Sequence, residues 1–500
     1  MNFQKFLQHS GLDHKQYQED GVNWCISREE PLMRNQDQNQ DQDQDQDQVS
    51  SRYCNGGIIA DEMGLGKTIM MIGTIVANFK MPTLIVLPVV LIEQWKEQFQ
   101  RTAGHTPLIY HGQTIKLLTS DELQRTPIIL TSYGTVLSDA RKHKKLQQVK
   151  WSRIICDEAH HLKNRRTKIS RVICALKTNI MWLISGTPIQ NHINDLYSLF
   201  DILKIPNKVY TDTAQLKKII STIVLKRTKK EVGIQLPSLH VNRVRSNWTS
   251  ILEQEMAEDI HEKMAFSKVV NKRNQQQNQQ QNQQQNQQQN EQVNPISKGA
   301  ILSLMLYARM MCVYPSLAQS HISKMKAYGY VSAENPEEAL QYSSKMDSVI
   351  QSIIARKDNK NRKIVFTNFR GEIDYLKKSL MLAGLTTASI DGRVTSKRLR
   401  QEILQKDLDV LILQIKTGNE GLNLQQYNEV YFVTPEWNPK LEEQAIARCH
   451  RIGQKKQVHV FRFIMDSFDE KQKTNNIEMY TETVQENKNK MGNEVLSCNE

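Results

Sequence analysis

The sequence has no hydrophobic run long enough to cross a bilayer. Its most apolar stretch, TLIVLPVVLI at residues 83–92, falls far short of the roughly 20 residues that a membrane helix needs. The N-terminal MNFQKFLQHSGLDHKQ has no uninterrupted apolar core after its first lysine, so it does not resemble a secretory signal. We therefore expect no membrane partner and no secretion.

Cysteines are few and widely separated. They lie at positions 25, 54, 156, 174, 312, 449 and 498. No two of them have the close spacing of a zinc or redox motif. The pattern favours reduced thiols in an intracellular protein.

Acidic residues are fewer than basic ones, 53 against 66, which gives a formal net charge of +13. Such an excess favours a polyanionic partner such as nucleic acid. Two basic clusters, RKHKK at 141–145 and KRTKK at 226–230, contribute to it. Each is open to three interpretations, namely a nuclear signal, a DNA-facing surface or an ordinary solvated surface.

Short apolar runs alternate with longer amphipathic ones in two parts of the chain. Examples are TLIVL, PIILT and IMWLI before residue 190, and RKIVF, DVLIL and EVYFV after residue 360. Continuous apolar strands separated by helical segments are typical of parallel sheets covered on both faces. The middle, roughly 250–350, has helical spacing and no strand candidate. The pattern therefore predicts an α/β protein with two parallel-sheet units and a helical insertion between them.

The predicted domains follow from this alternation. The first unit takes residues 1–237, a helical protrusion and linker takes 238–345, the second unit takes 346–470, and a polar C-terminal tail takes 471–500. The low-complexity insert at 35–48 consists of Gln, Asp and Asn, and the one at 271–294 is rich in Gln and Asn. They offer nothing apolar to bury, so we expect solvated loops, although Asn/Gln tracts can also mediate self-association.

A glycine-rich turn stands between an apolar strand and a helix in GGIIADEMGLGKT, residues 56–68. Gly64 and Gly66 leave backbone N–H groups free to approach phosphate oxygens, and the helix N-terminus adds a positive dipole. Lys67 can reach the β- and γ-phosphates, and the Thr68 hydroxyl can bind Mg²⁺. Asp61 stands where the strict P-loop pattern has glycine, and an ordinary glycine-rich turn is the alternative. The stretch predicts a nucleotide site.

A pair of acidic residues follows the apolar strand of WSRIICDEAHH, residues 151–161. A sheet edge can hold Asp157 and Glu158 beside the phosphate turn. Asp157 suits Mg²⁺ coordination, direct or through water, and Glu158 can orient and deprotonate an attacking water. Acidic pairs after strands are commonly helix caps, but a cap does not explain their combination with a P-loop. Together the two motifs predict hydrolysis of ATP.

Three polar residues of EEQAIARCHRIGQ have helical spacing. Gln444, Arg448 and Arg451 fall at i, i+4 and i+7, so one helical face would present an amide and two guanidinium groups. Across a cleft from the P-loop, the two arginines could stabilise charge on the γ-phosphate. A solvated basic stripe is the alternative, and spacing alone favours it.

Seven motifs follow one another along residues 12–465. They are YQEDGVNW at 17–24, DEMGLGKT at 61–68, DEAH at 157–160, SGTPIQN at 185–191, IDGRVTSKRLRQEIL at 390–404, GNEGLNL at 418–424 and EWNPKLEEQAIARCHRIGQ at 436–454. Their order resembles that of the Swi/Snf-type ATPases of helicase superfamily two, and the RCHRIGQ ending is specific to that family. ARMMCVYPSL at 308–317 resembles the post-replication-repair and transcription-termination subgroup.

The resemblance implies two RecA-like lobes of a P-loop NTPase helicase core, with ATP and Mg²⁺ as cofactors. Gln18 would read the adenine. Contacts to the nucleotide would come from Gln18, Asp61, Glu62, Met63, Gly64, Leu65, Gly66, Lys67, Thr68, Gly421 and Gln444. Residues that couple the phosphates to the DNA grip would be His160, Ser185 and Thr187. Contacts to the DNA backbone would come from Pro88, Ser132, Tyr133, Thr367, Asn368, Gly392, Thr417 and Trp437.

The implied function is a DNA-dependent ATPase that moves along double-stranded DNA. It would remodel or displace bound proteins such as nucleosomes, polymerase or repair factors, in the nucleus or at another site of DNA metabolism. One alternative is a strand-separating helicase acting on DNA or RNA. Another is a weakly hydrolysing DNA-binding scaffold that the low-complexity inserts assemble.

Overall fold

The computed structural model describes residues 3–30, 54–190, 192–264, 298–331, 336–394, 396–418, 422–468 and 475–496. Both low-complexity inserts and Gly421 lie outside these residues. The chain divides into two compact units, Met1–Leu236 together with Asn487–Glu500, and Pro237–Glu486. We call them lobe 1 and lobe 2. The division between 236 and 237 lies next to the predicted end of the first unit.

Lobe 1 contains a parallel sheet of seven strands in the order β3-β4-β2-β5-β6-β1-β7. The strands are β1 (Asn55–Ile59), β2 (Thr83–Leu87), β3 (Leu108–Tyr110), β4 (Ile128–Ser132), β5 (Lys150–Asp157), β6 (Lys177–Ile184) and β7 (Val224–Leu225). The helices are α1 (Phe3–Ser10), α2 (Gln16–Glu29), α3 (Lys67–Ala77), α4 (Ile92–Ala103), α5 (Thr114–Leu117), α6 (Ser120–Arg125), α7 (Tyr133–Lys142), α8 (Lys145–Gln148), α9 (Lys168–Cys174), α10 (Ile193–Ile202), α11 (Asn207–Tyr210) and α12 (Thr213–Ile223).

Successive strand residues of lobe 1 enter two different cores. Ile58 and Leu84 pack on one face of the sheet, and Ile59 and Ile85 pack on the other. All four side chains are fully buried. Since side chains alternate across a strand, a sheet with helices on both faces needs apolar residues at every position. This is why its strands read as continuous apolar runs.

Lobe 2 contains a parallel sheet of six strands in the order β10-β11-β9-β12-β13-β8. The strands are β8 (Leu239–Ser246), β9 (Lys363–Thr367), β10 (Thr387–Ile390), β11 (Val410–Gln414), β12 (Glu429–Phe432) and β13 (Val458–Met465). The helices are α13 (Ile251–Met264), α14 (Lys298–Val313), α15 (Ile322–Ala327), α16 (Pro336–Ala339), α17 (Ser344–Ile354), α18 (Arg370–Leu382), α19 (Lys397–Gln405), α20 (Ile415–Gly418), α21 (Pro439–Cys449) and α22 (Ile477–Leu496), the last of which belongs to lobe 1 from Asn487 onward. The predicted fold class, α/β with two parallel-sheet lobes and a helical insertion, is confirmed.

The segment predicted as a helical protrusion, 238–345, begins with a strand. β8 pairs with β13 over its whole length, from Leu239 to Ser246. As an edge strand it is mostly exposed, so its sequence LHVNRVRS lacks the apolar run that marks the inner strands. From α13 onward the described part of the segment is helical, and Met256, Leu304 and Met311 form part of its own apolar core.

The segment predicted as a polar tail, 471–500, contains the helix α22. Its start is buried in lobe 2, where Glu478 forms an ion pair with Lys345 that leaves both side chains almost without solvent contact. The Asn476 side chain accepts hydrogen bonds from the backbone N–H groups of Glu478 and Met479, both at 3.0 Å. This is the N-cap arrangement that begins a helix.

Among the described residues, no helix combines the length and the apolar character that crossing a membrane requires.

Candidate nucleotide site

The P-loop connects the end of β1 to the start of α3 at Lys67. Gly64 and Gly66 have φ values of 95° and 80°, in the left-handed region that favours glycine. A Cβ atom on Gly66 would lie 2.5 Å from the Gln18 side-chain nitrogen. Both glycines are therefore needed, one for the turn and the other also for close approach. The helix N-terminus behind them can receive a phosphate group.

The P-loop lysine is held within the loop. Lys67 Nζ donates hydrogen bonds to the carbonyl oxygens of Asp61 at 2.6 Å and Glu62 at 3.3 Å. A Cβ atom on Gly186, in the loop after β6, would lie 3.4 Å from the same Nζ and 3.0 Å from Met63. The SGTPIQN motif thus lies against the P-loop, with Ser185 and Thr187 on either side of Gly186.

The adenine-reading residue predicted from the sequence lies beside the P-loop. Gln18, in the first turn of α2, is buried, and its side-chain nitrogen donates to the carbonyl oxygen of Leu65 at 3.2 Å. The structure therefore brings together Gln18 and the predicted loop residues, which come from segments 47 positions apart.

The acidic pair occupies the end of β5 and the residue after it. Trp95 Nε1 donates to Asp157 Oδ2 at 2.7 Å, and the Glu158 backbone N–H donates to Oδ1 at 2.9 Å. Burial and the neighbouring Glu158 carboxylate raise the pKa of Asp157 to about 6, against the opposing effects of Trp95 and Lys67. Asp157 pairs in register with Ile184 of β6, two residues before Gly186, so the pair lies near the P-loop.

Glu158 has a backbone conformation that is unusual for a residue with a side chain. Its φ is 49°, in the left-handed region, and such strain is concentrated at functional sites. Its Oε2 lies 3.1 Å from His160 Nδ1 in the 3₁₀ turn Ala159–Leu162. The turn therefore holds the predicted general base next to a predicted coupling residue.

The donor set fits Mg²⁺. Mg²⁺ prefers hard oxygen ligands and is usually bound by one or two carboxylates together with phosphate oxygens and water. Asp157 supplies a carboxylate whose orientation Trp95 fixes, and Thr68 supplies a hydroxyl in the first turn of α3. Asp157 and Thr68 are therefore the residues that would hold the ion.

The helical face predicted for Gln444, Arg448 and Arg451 does not exist as a single face. α21 ends at Cys449, so Arg451 lies in the turn beyond the helix. Gln444 is buried, with 6% of its surface exposed. Arg448 lies in the last turn of α21 and is half-buried. Burial lowers the pKa of the Arg451 guanidinium below its usual range.

Several residues predicted to contact DNA have side chains engaged inside the lobes. Ser132 is buried and caps α7 by accepting a hydrogen bond from Thr135 N at 3.1 Å. Tyr133 donates to the carbonyl oxygen of Asp157 at 2.7 Å. Thr367 is buried and donates to the carbonyl oxygen of Leu413 at 3.3 Å. Contact of these residues with DNA stays a prediction.

The other predicted DNA contacts occupy varied positions. Pro88 is buried, but the next two residues, Val89 and Val90, are exposed. Asn368 is half-buried before α18 and Gly392 is exposed after β10. Thr417 lies in α20, and the Trp437 ring packs edge-on against Tyr480 at 5.9 Å. Their roles in DNA binding also stay predictions.

Sequence reasoning missed three residues at this site, Trp95, Arg227 and Lys229. Arg227 and Lys229 belong to the KRTKK cluster, and they form ion pairs with Asp61 and Glu62 of the P-loop. The pairing with Asp61 explains why an acidic residue stands where the strict motif has glycine. The sequence did contain a signal, namely two acidic residues at the start of the P-loop and a basic cluster at 226–230. Nothing in the local sequence connects the two.

A P-loop, an acidic pair after another strand of the same sheet and a second parallel-sheet lobe define a P-loop nucleotide-binding protein of the helicase type. The chain belongs to the SNF2-related family. Residues 17–317 match the SNF2-related domain, and residues 344–453 match the helicase conserved C-terminal domain. The family that the motifs resemble is therefore confirmed.

Several curated proteins are similar to the chain along 90–91% of its length. An uncharacterized ATP-dependent helicase of Mycoplasma genitalium is 28% identical, with 41% of its own length covered. The ATP-dependent DNA helicase DDM1 of Arabidopsis thaliana is 26% identical, with 59% covered. The TATA-binding protein-associated factor of Saccharomyces cerevisiae is 25% identical, with 26% covered. The chain thus spans less than two thirds of the length of each of these relatives.

A solved structure of the Sulfolobus solfataricus SWI2/SNF2 ATPase core in complex with dsDNA is also similar. It is 24% identical, with 97% of both chains covered and a TM-score of 0.39.

Proposed function

We propose that the protein is an ATP-dependent translocase on double-stranded DNA that remodels or displaces DNA-bound proteins. The observation that carries the proposal is that Asp157 pairs in register with Ile184 of β6, two residues before Gly186, where a Cβ atom would lie 3.4 Å from Lys67 Nζ. Membership in the SNF2-related family supports it. So do the names of relatives, which include an ATP-dependent DNA helicase and a chromatin-remodeling ATPase.

ATP binding would use the P-loop as the structure presents it. Lys67 would transfer its hydrogen bonds from the carbonyl oxygens of Asp61 and Glu62 to phosphate oxygens. Bound Mg²⁺ would neutralise charge that develops on the phosphates. Gln18 would hold the adenine end of the nucleotide.

Hydrolysis would depend on Glu158. Its carboxylate would orient a water molecule and accept a proton from it, with His160 Nδ1 3.1 Å from its Oε2. Ser185 and Thr187 would report the state of the phosphates. On closure of the lobes, Arg448 and Arg451 of lobe 2 would stabilise charge at the γ-phosphate, as arginine fingers do.

DNA binding would use the phosphate backbone, since the chain carries a formal net charge of +13. Such binding would be salt-sensitive and show little base preference. The proposal places the protein inside the cell at a site of DNA metabolism, nuclear or otherwise. The proteins that it would act on are nucleosomes, polymerase or repair factors.

The proposal is tested by steady-state ATP hydrolysis with no nucleic acid, duplex DNA, single-stranded DNA or duplex RNA. Duplex DNA should stimulate the wild type. Glu158→Gln should lose about 10²–10⁴-fold in rate, the contribution of a general base. Glu262→Gln, an exposed substitution on α13, is the matched control and should match the wild type.

Two outcomes would refute the proposal. Stimulation by single strands or RNA, with efficient unwinding of a forked duplex, would identify a strand-separating helicase. DNA binding without hydrolysis under any condition would identify a scaffold.

A further inference from the structure

The segment that follows β7 runs alongside the start of the P-loop. Ala60 N donates to the carbonyl oxygen of Leu225 at 2.7 Å, and Glu62 N donates to that of Arg227 at 2.9 Å. Backbone hydrogen bonds therefore join the start of the P-loop to Leu225 at the end of β7 and to Arg227 two residues further on.

Arg227 joins three separate parts of lobe 1. Its Nε and one terminal nitrogen donate to the two carboxylate oxygens of Asp61 at 3.1 and 2.6 Å. The other terminal nitrogen donates to the carbonyl oxygen of Tyr17 at 2.5 Å, and the guanidinium lies 5.7 Å from the Tyr17 ring centre. The bidentate geometry fixes orientation as well as distance.

Burial makes the Arg227 pair consequential. Only 1% of the Asp61 side chain and 16% of the Arg227 side chain are exposed. Removing one partner of a buried ion pair leaves a charge without compensation, which costs far more than loss of a surface pair. The ion pair with Arg227 therefore compensates the charge of the buried Asp61 carboxylate.

Lys229 holds the next P-loop residue, Glu62, by two hydrogen bonds. Its Nζ donates to Glu62 Oε1 at 2.7 Å, and its backbone N–H donates to Oε2 at 2.8 Å. Both bonds go to Glu62 and neither goes to α2. Lys230, the next residue of the KRTKK cluster, is exposed.

Arg227 and Lys229 hold residues that are bonded to, or adjacent to, the groups predicted to contact ATP. Lys67 donates to the carbonyl oxygens of Asp61 and Glu62, whose side chains Arg227 and Lys229 hold. Gln18 follows Tyr17, whose carbonyl oxygen Arg227 holds. One arginine thus sets the spacing between the phosphate-binding end and the adenine-reading end of the site.

We propose that Arg227 and Lys229 are positioning residues of the ATP site, and that Arg227 also determines the preference for adenine over guanine nucleotides. The proposal rests on the proposed function in that Gln18 and the P-loop must bind the nucleotide. It assigns two members of the KRTKK cluster to nucleotide binding instead of DNA contact or nuclear import.

The test is calorimetric binding of ATP and of GTP, each with Mg²⁺ and without nucleic acid, to the whole chain. Arg227→Met should weaken ATP binding by roughly ten- to a hundredfold, the cost of a displaced binding group, and should reduce the ratio of ATP to GTP affinity. Arg227→Lys, which keeps the charge but loses the fork, should reduce that ratio in the same direction. Lys229→Met should weaken the binding of both nucleotides and leave the ratio unchanged, because both hydrogen bonds of Lys229 go to Glu62. Lys230→Met is the matched control and should bind as the wild type does.

The double variant Asp61→Asn with Arg227→Met removes the uncompensated buried carboxylate, so it serves if Arg227→Met alone does not fold. It should still show the reduced ATP to GTP ratio, because the bond to Tyr17 is lost. Unchanged affinity and ratio in folded Arg227 variants would overturn the proposal, as would an equal loss in Lys230→Met. Wild-type protein that binds neither nucleotide would refute the proposed function itself, an outcome distinct from unchanged variants.

Discussion

Replacement of Trp95 by phenylalanine should raise the Mg²⁺ concentration that nucleotide binding and hydrolysis require. Trp95 is 1% exposed, and its indole N–H donates to Asp157 Oδ2 at 2.7 Å. Phenylalanine keeps an aromatic ring in the same core but has no N–H group. The substitution therefore removes the donor that orients the carboxylate predicted to hold the ion.

The size of the effect follows from the charge on the acceptor. A hydrogen bond to a charged group contributes about 1.5–3 kcal/mol. Since 1.4 kcal/mol corresponds to a factor of about ten, the loss amounts to roughly 10- to 150-fold in a binding equilibrium. The same hydrogen bond lowers the pKa of Asp157, so its removal also reduces the fraction of Asp157 that is ionised.

The assay is a Mg²⁺ titration of nucleotide binding, followed by the same titration of hydrolysis. Trp95→Phe should require at least about tenfold more Mg²⁺ than the wild type for half-maximal effect, by the same hydrogen-bond arithmetic, while nucleotide binding without Mg²⁺ should change little. Trp151→Phe is the matched control, because Trp151 is equally buried and its N–H donates to the carbonyl oxygen of Leu146 at 3.0 Å. Trp151→Phe loses a similar hydrogen bond and a similar side-chain volume at the start of β5, whereas Asp157 lies at its end. Equal Mg²⁺ requirements for the two variants would refute the reasoning.

Two further predictions concern the stability of each lobe. Burial raises the pKa of Glu372 to about 7, so folded lobe 2 retains a proton that the unfolded chain releases near pH 4.5. The protonated Glu372 therefore contributes stability below about pH 4.5, and this stability is lost as the pH rises through 7. The melting temperature of the wild type relative to Glu372→Gln should therefore fall from pH 4.5 to 7, and parallel pH profiles would contradict the assignment. In lobe 1, Arg153 Nε donates to Glu29 Oε1 at 2.6 Å, and neither side chain is exposed. Arg153→Met should cost about 3–5 kcal/mol in unfolding free energy, measured in denaturant, whereas Arg165→Met at a pair with 58% exposure of the arginine should cost under about 1 kcal/mol; similar losses would show that burial of the Arg153 pair does not decide its contribution.

The sheets and the P-loop could be predicted because their determinants are local. Every position of an inner strand must be apolar when both faces are covered, and the run therefore appears directly in the sequence. The glycines of the P-loop have to adopt left-handed φ values or allow close approach, so they stand at fixed positions between strand and helix. These features need no knowledge of which segments meet.

The ion pairs of Arg227 and Lys229 with the P-loop could not be predicted, because they join distant segments. Asp61 and Arg227 are 166 positions apart in the chain, and Glu62 and Lys229 are 167 positions apart. A charged cluster has the same local appearance whether it faces water, DNA or another part of the fold. Only the parallel pairing of β7 with β1 brings the cluster to the loop. The strand β8 was missed for a related reason, since an edge strand has no buried neighbour on one side.

Arg451 shows where periodicity stops being informative. The i, i+4, i+7 spacing holds only while the helix continues, and α21 ends at Cys449. Gln454 donates to the carbonyl oxygen of Cys449 at 3.2 Å and to that of Gln425 at 2.8 Å, and Gly453 has a φ of 99°. The Gln454 amide satisfies a carbonyl at the end of the helix, as helix ends require. The cap residue His450 has a φ of −93°, and the left-handed turn at Gly453 lies beyond it. The ending RCHRIGQ thus builds a turn that positions Arg451 independently of Arg448, and the two guanidinium groups are set by different elements of lobe 2.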